Sequence, residues 1–189
     1  LPLHVAHENY WPIYEEAEKL DCPVALHGGA NCEGAGLETF TNFTASHILH
    51  QPIPLMVGII VFIYHGVLDR FPNLKVAFME GGVGWLASLL DRAERDENYF
   101  DPGDQPKNRV REYLRSGRIL LGCEGSEHTI AYLAKRIGVQ CFAYASDYPH
   151  EVDLPAAQHE IDEVAEREDL TVQERQAILA DNARRFFKL

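Results

Sequence analysis

Apolar and polar positions along this chain fall into two alternating patterns: short unbroken apolar runs and longer amphipathic stretches. Residues 8–20 carry Trp11, Tyr14, Ala17 and Leu20 at helical spacing among Glu15, Glu16 and Glu18, and Asp21-Cys-Pro closes the stretch. Val24-Ala-Leu-His27 follows as a strand. Residues 28–44 are rich in Gly, Asn and Thr and too long for a simple connection, which marks an active-site loop. Residues 45–69 read as helix interrupted near Pro52 and Pro54, and Phe71-Pro-Asn turns the chain into a second strand ending at Glu80. A helix over 85–99 places Leu86, Leu89, Leu90 and Ala93 on one face. A polar loop over 100–107 and a short helix over 109–114 lead to a third strand over 118–123. A helix over 127–137 then closes at Gly138. The fourth strand begins at Cys141, and helices over 155–167, 172–179 and 182–187 complete the chain.

Four successive strand–helix units predict parallel strands joined by crossovers, an α/β fold. Neither a linker nor a low-complexity tract interrupts residues 1–189, so they read as one domain. Four units in this length fit either a small doubly wound sheet or half of an eight-stranded barrel.

Composition narrows the partners more than the fold. A hydrophobic content of 46% with 24% charged residues is ordinary for a soluble protein. A net charge of −12 argues against a nucleic-acid surface and against anionic membranes. The longest apolar run, 54–64, is too short to span a bilayer. With no signal-peptide pattern, a cytoplasmic location is expected. Cys22, Cys32, Cys123 and Cys141 form no C-x-x-C pair, and buried free thiols are expected rather than disulfides.

The chemistry lies where the strands stop. The four apolar runs end at His27, Glu80, Glu124 and Asp147, and parallel α/β folds place their chemistry at the C-terminal ends of strands. His27 and Asp147 offer the imidazole and carboxylate donors of an open divalent-metal site. Each has a plainer alternative, a core histidine bonded to backbone for His27 and a turn residue before Tyr148-Pro for Asp147. Glu80 and Glu124 face one mouth, where either can orient or deprotonate a metal-activated water; Glu124 also reads as a solvated loop carboxylate. His150, three residues past Asp147, is a pocket residue or a surface turn. His47 and His50 lack a third ligand nearby, and His65 reads as packing or surface. The glycine pairs at 28–29 and 81–82 do not form a phosphate-binding pattern, and no Gly-x-Ser-x-Gly elbow occurs.

Several strings carry a family resemblance: Pro23-Val-Ala-Leu-His-Gly-Gly, Gly66-Val-Leu-Asp-Arg-Phe-Pro-Asn-Leu-Lys-Val, Met79-Glu-Gly-Gly-Val-Gly-Trp85, Cys123-Glu124, Ala145-Ser-Asp-Tyr-Pro-His150 and Leu179-Ala-Asp-Asn-Ala-Arg-Arg-Phe-Phe187. In this order they resemble the amidohydrolase-related proteins of the amidohydrolase superfamily, in the branch that includes aminocarboxymuconate-semialdehyde decarboxylase and related non-oxidative aromatic-acid decarboxylases. The resemblance implies a (β/α)8 barrel of TIM type with a divalent metal, usually zinc, at its C-terminal mouth. His27 matches the metal-binding histidine ending the fifth strand, and Asp147 the aspartate ending the eighth. Glu80 stands where the decarboxylases carry a histidine; it keeps acid–base capacity and changes charge and pKa.

The ligand pair of the family's first strand has no counterpart here, so the chain is expected to cover strands five to eight, as a half barrel or a fragment. Four strands cannot close a barrel, and homo-oligomerisation or dependence on a missing N-terminal half is expected. The function implied is a metal-dependent hydrolase or decarboxylase. His27 and Asp147 would hold the metal, Glu80 and Asp147 would be catalytic, and Glu124 and His150 would shape the pocket for a small cyclic or carboxylated substrate. The alternative is a non-catalytic barrel module acting as a structural or binding subunit.

Overall fold

A computed structural model describes residues 3–28, 39–150 and 152–189. Its frame is one parallel sheet of β1 (Val24–His27), β2 (Val76–Met79), β3 (Ile119–Cys123) and β4 (Phe142–Tyr144). The strands lie side by side in chain order, β1-β2-β3-β4. Nowhere does the order reverse, so the switch point that defines a doubly wound sheet is missing among the described residues. Such a sequential parallel sheet is the arrangement found in part of a β/α barrel.

Residues alternate across the two faces of each strand. One face presents Val76, Phe78, Ile119, Leu121, Cys123 and Phe142 to a large core shared with the surrounding helices. Those helices are α1 (Trp11–Lys19), α3 (Pro52–Tyr64), α4 (Val67–Arg70), α5 (Gly84–Tyr99), α6 (Val110–Arg115) and α7 (Ile130–Ile137), while α2 (Phe43–His50) leads into α3 and adds no residue to this core. Within α3, Leu55, Ile59, Phe62 and Ile63 are buried at helical spacing and fill this layer. The opposite face carries small side chains. Ala77, Leu120 and Ala143 form a second buried cluster with Phe186, flanked by Met79 and Ala183.

Phe186 and Ala183 lie on α10 (Asn182–Phe187), which follows α8 (Leu154–Glu166) and α9 (Val172–Gln176). The sequence reading places two separate helices here, 172–179 and 182–187. The structure instead joins α9 to α10 through a π-helical turn, Ala177–Asp181. Neither glycine nor proline stands there to end the helix, and a wider turn absorbs the extra residue. This continuity delivers Asn182 to the core, only 1% exposed. Its Nδ2 donates to the carbonyls of Val139 (2.7 Å) and Phe142 (2.8 Å) at the start of β4.

Two sequence expectations need correction. Cys22 is exposed, because the chain turns at 21–23 outside the sheet. Cys123 and Cys141 are buried free thiols as expected; burial pushes the Cys141 pKa up to about 12 and that of Cys123 higher still. Cys32 and most of the expected active-site loop, 29–38, lie outside the described residues. The apolar stretch is also longer than the run 54–64 suggests. The helical segment Phe43–Tyr64 meets the length and hydropathy of a membrane span. It is divided at Gln51 into α2 and α3, and the buried stripe of α3 packs against the sheet.

Replacing Asn182 with alanine would remove this side-chain donor from both carbonyls, leaving Val139 only its bond from the Phe142 N–H (3.0 Å). The expected loss is about 2–4 kcal/mol of unfolding free energy by urea titration, well beyond a typical surface change. Asn182→Asp should be at least as damaging, because a carboxylate brings acceptors to carbonyls that need donors.

Candidate functional site

Parallel register brings the strand ends to one rim. His27 pairs with Met79, so Glu80 begins one residue beyond it, and Cys123 pairs with Tyr144 shortly before Asp147. Glu80 (φ 60°) and Asp147 (φ 57°) both adopt left-handed backbone, which costs a non-glycine residue on the order of 1–3 kcal/mol. Two strand-end carboxylates held against that preference indicate that their surroundings dictate the geometry.

For Glu80 the surroundings are visible. A Cβ on Gly81 would stand 2.6 Å from Leu55 Cδ1. Gly82 has φ 59°, and a Cβ there would stand 2.6 Å from Glu127 Oε1. The glycine pair therefore lets the loop pass between α3 and the loop after β3. It is a steric requirement, not a phosphate cradle.

His27 forms short hydrogen bonds through both ring nitrogens, Nδ1 to the Gly28 carbonyl and Nε2 to Glu80 Oε2. A carbonyl and a carboxylate both accept, so this arrangement suits the doubly protonated ring. The His27 pKa is accordingly raised above 6.5, first by the Gly28 carbonyl, against the opposing effect of burial, then by the Glu80 hydrogen bond and the charges of Glu80 and Asp147. The Nδ1 bond also fixes the ring so that Nε2 faces the mouth. Gln51 Nε2 donates to Glu80 Oε1 at 2.6 Å, holding the other carboxylate oxygen.

On the far side of the sheet, His150 Nδ1 lies 3.2 Å from Asp147 Oδ2. Ligand-capable atoms of Glu80, Asp147 and His150 all fall within 4.8 Å of one another. The structure thus gathers Glu80, Asp147 and His150 and links His27 to them through Glu80. The carboxylates and imidazoles suit a divalent ion of zinc or manganese type.

A cleft of about 720 Å³ opens over this group. His27, Glu80, Glu124 and Asp147 line it, together with Gln51, Met79, Gly122, Ser146 and Glu160. Glu124 is exposed on its wall, while His150 stands beside Asp147 at the rim. His47 and Ile48 of α2 complete one side, whereas His50 is buried at 7% exposure.

Sequence reading passed over Gln51, Glu160 and the wall role of His47. An amide or a lone helix residue carries no ligand spacing, and only the break before Pro52 hinted that α3 starts at the mouth. A missed signal is the placement of positive charge. None of the 17 Lys and Arg residues falls in 27–54, 79–91, 123–134 or 144–166, the segments that carry the strand ends.

Known proteins share this fold. The chain is 26% identical over 184 residues to the 2-amino-3-carboxymuconate-6-semialdehyde decarboxylase of Dictyostelium discoideum, covering 96% of this chain and 49% of that protein. Among solved structures, an amidohydrolase from Mycobacterium avium subsp. paratuberculosis superposes with a TM-score of 0.79 at 20% identity, over 98% of this chain and 47% of its own. A 5-carboxyvanillate decarboxylase from Novosphingobium aromaticivorans, solved with manganese and 4-hydroxy-3-methoxy-5-nitrobenzoic acid, gives 0.73 at 19% identity over 99% and 53%. A 2,6-dihydroxybenzoate decarboxylase from Rhizobium gives 0.75 at 22% identity over 100% and 58%. The chain spans about half the length of these relatives. The amidohydrolase family profile matches residues 2–189, and the chain belongs to that family.

Proposed function

We propose that this chain forms strands five to eight of a (β/α)8 barrel and supplies half of a divalent-metal site for hydrolysis or non-oxidative decarboxylation of a small cyclic or carboxylated compound. The observation that carries this reading is the convergence of Glu80, Asp147 and His150 beside His27, at the C-terminal ends of parallel strands. The decarboxylase names among its relatives support the reaction class. Half-length coverage supports completion of the site by a second half, or by another copy.

His27 and Asp147 would hold the ion, with His150 within reach of the same position. Zinc is the first expectation, and manganese is the ion in the carboxyvanillate enzyme. When bound, the ion supplies Lewis acidity and lowers the pKa of water. Glu80 would hold or release a proton at Oε2, the atom now bonded to His27. Gln51 keeps that carboxylate aimed through Oε1. Glu124 and the apolar wall of Ile48 and Met79 would bound the substrate.

To serve as a ligand, His27 must give up the Nε2 proton that now faces Glu80. Its folded pKa lies above 6.5, so the His27–Glu80 pair stabilises the metal-free fold below that pH and fades as pH rises through the raised value. Metal affinity should run the opposite way. It should climb with pH across the same window, by up to about tenfold per unit, and then level off. Calorimetric titrations with zinc and manganese from pH 5.5 to 8.5 would read this, with proton uptake by the buffer on binding. In Glu80→Gln the midpoint should move down; an unmoved midpoint would separate Glu80 from His27.

Metal analysis by mass spectrometry tests the reading as a whole. Stoichiometric metal, either in the protein alone or after addition of the uncovered half of a full-length relative, should vanish in His27→Ala and in Asp147→Ala. Absence of metal in every combination overturns it. Decarboxylase or hydrolase turnover is expected only in the reconstituted sample.

A further inference from the structure

The structure assigns Glu127 the role of positioning residue for the mouth: its carboxylate ties the loop that carries Glu80 to the loop that carries Glu124. Glu127 Oε1 accepts from the backbone N–H of Val83 (2.6 Å) and of Gly84 (2.9 Å). Oε2 accepts from the N–H of Glu124 at 3.0 Å. Three backbone donors from two strand-end loops thus converge on one side chain. This assignment rests on the reading of Glu80 as an acid–base group beside the metal.

The need for such a tie follows from the chain itself. Helix α5 spans 16 residues and begins without a side-chain cap, since Val83 at its N-cap position has none to offer. Its first N–H groups require an acceptor, and a carboxylate there also meets the favourable end of the helix dipole. Glu127 supplies that acceptor across a separation of 44 residues. Because α5 begins four residues after Glu80, fixing its first turn fixes the far end of the loop that holds Glu80 in left-handed backbone.

The anchor is itself anchored. Arg167 Nη1 donates to the carbonyls of Glu127 (2.6 Å) and Gly125 (3.3 Å), and its guanidinium is paired with Asp169. On the Glu80 side, Trp85 Nε1 donates to the Gly82 carbonyl at 2.8 Å. Glycine at position 82 leaves the space through which Glu127 passes, since a Cβ there would stand 2.6 Å from its Oε1. Arg167, Glu127 and Gly82 form a continuous support from the end of α8 to the Glu80 loop. None of them belongs to the group of ligand-capable residues.

The test compares Glu127→Ala, Glu127→Gln and Asn182→Ala by cobalt titration, read from the visible absorption of the ion. Glu127→Ala should bind cobalt about tenfold or more weakly than the unchanged protein, in the range found when supporting residues are removed from metal sites. Glu127→Gln keeps one carbonyl oxygen for Val83 and Gly84 but places no charge at Glu124, so a smaller loss is expected. This variant also answers if the alanine form does not fold. Asn182→Ala lowers stability far from the mouth and should leave cobalt affinity and spectrum unchanged. Equal affinity in the unchanged and both Glu127 forms, or an equal loss in Asn182→Ala, overturns the assignment.

If the unchanged protein takes no cobalt, the metal reading falls by itself. Crystal structures of the Glu127 variants then decide. Departure of Glu80 from φ near +60° supports the positioning role, and retention of it together with the His27 contact overturns it.

Discussion

A parallel sheet must have both faces covered, and the way this one is covered produces the site. Helices bury one face across β2, β3 and the start of β4, with Val24 and Leu26 of β1 partly covered at the edge. Among the described residues, the other face is closed where Phe186 lies on Ala77, Leu120 and Ala143. Nearer the C-terminal ends, Met79, Gly122 and Ala145 leave a space, and the cleft begins there. Phe186 packed on this face, with space left above Gly122 and Ala145, converts a packing requirement into a cavity with a floor. Asn182 contributes stability where this face is closed, since its bonds to Val139 and Phe142 hold α10 against the sheet.

Above that floor the geometry is maintained against local preference. Glu80 and Asp147 both sit in left-handed backbone, a conformation that neither residue favours. Such strain persists only where neighbours over-determine it. Around Glu80 those neighbours are Gln51 and Leu55 on one side and Glu127 on the other, with two glycines admitting both. The cost is offset by hydrogen bonds that the loops and the start of α5 require in any case. Rigidity at the mouth and capping of the helix are therefore the same interaction.

Much of this was legible in the sequence, for reasons particular to each element. The unbroken run at 119–123 reads as a strand because every residue of it is buried, and the spacing of Leu86, Leu90 and Ala93 gives the buried face of α5. His27, Glu80 and Asp147 were visible as polar residues ending apolar runs. What stayed hidden depends on contacts distant in the chain. Nothing near Gln51 indicates that it reaches Glu80, 29 residues away, and nothing near Glu127 points to the N-terminus of α5. The exposure of Cys22 was misread because an apolar run beside it does not reveal where the chain leaves the sheet.

Charge placement defines what the mouth segments can contribute. They hold carboxylates and imidazoles and no lysine or arginine, while positive side chains lie on helix bodies and at the opposite end of the strands. A carboxylate entering such a cleft meets Glu80, Glu124, Asp147 and Glu160. Like charges at this range repel, and low-dielectric walls strengthen the repulsion. Under the proposed reading, the bound ion is therefore the one strong attraction that these segments can offer an anionic substrate. Discrimination between anionic substrates then falls to groups outside them, consistent with a chain that corresponds to about half of each relative. Under the same reading the division has a physical rationale: an acidic rim would keep the divalent ion, and a cation placed among the same ligands would compete with it for their carboxylates.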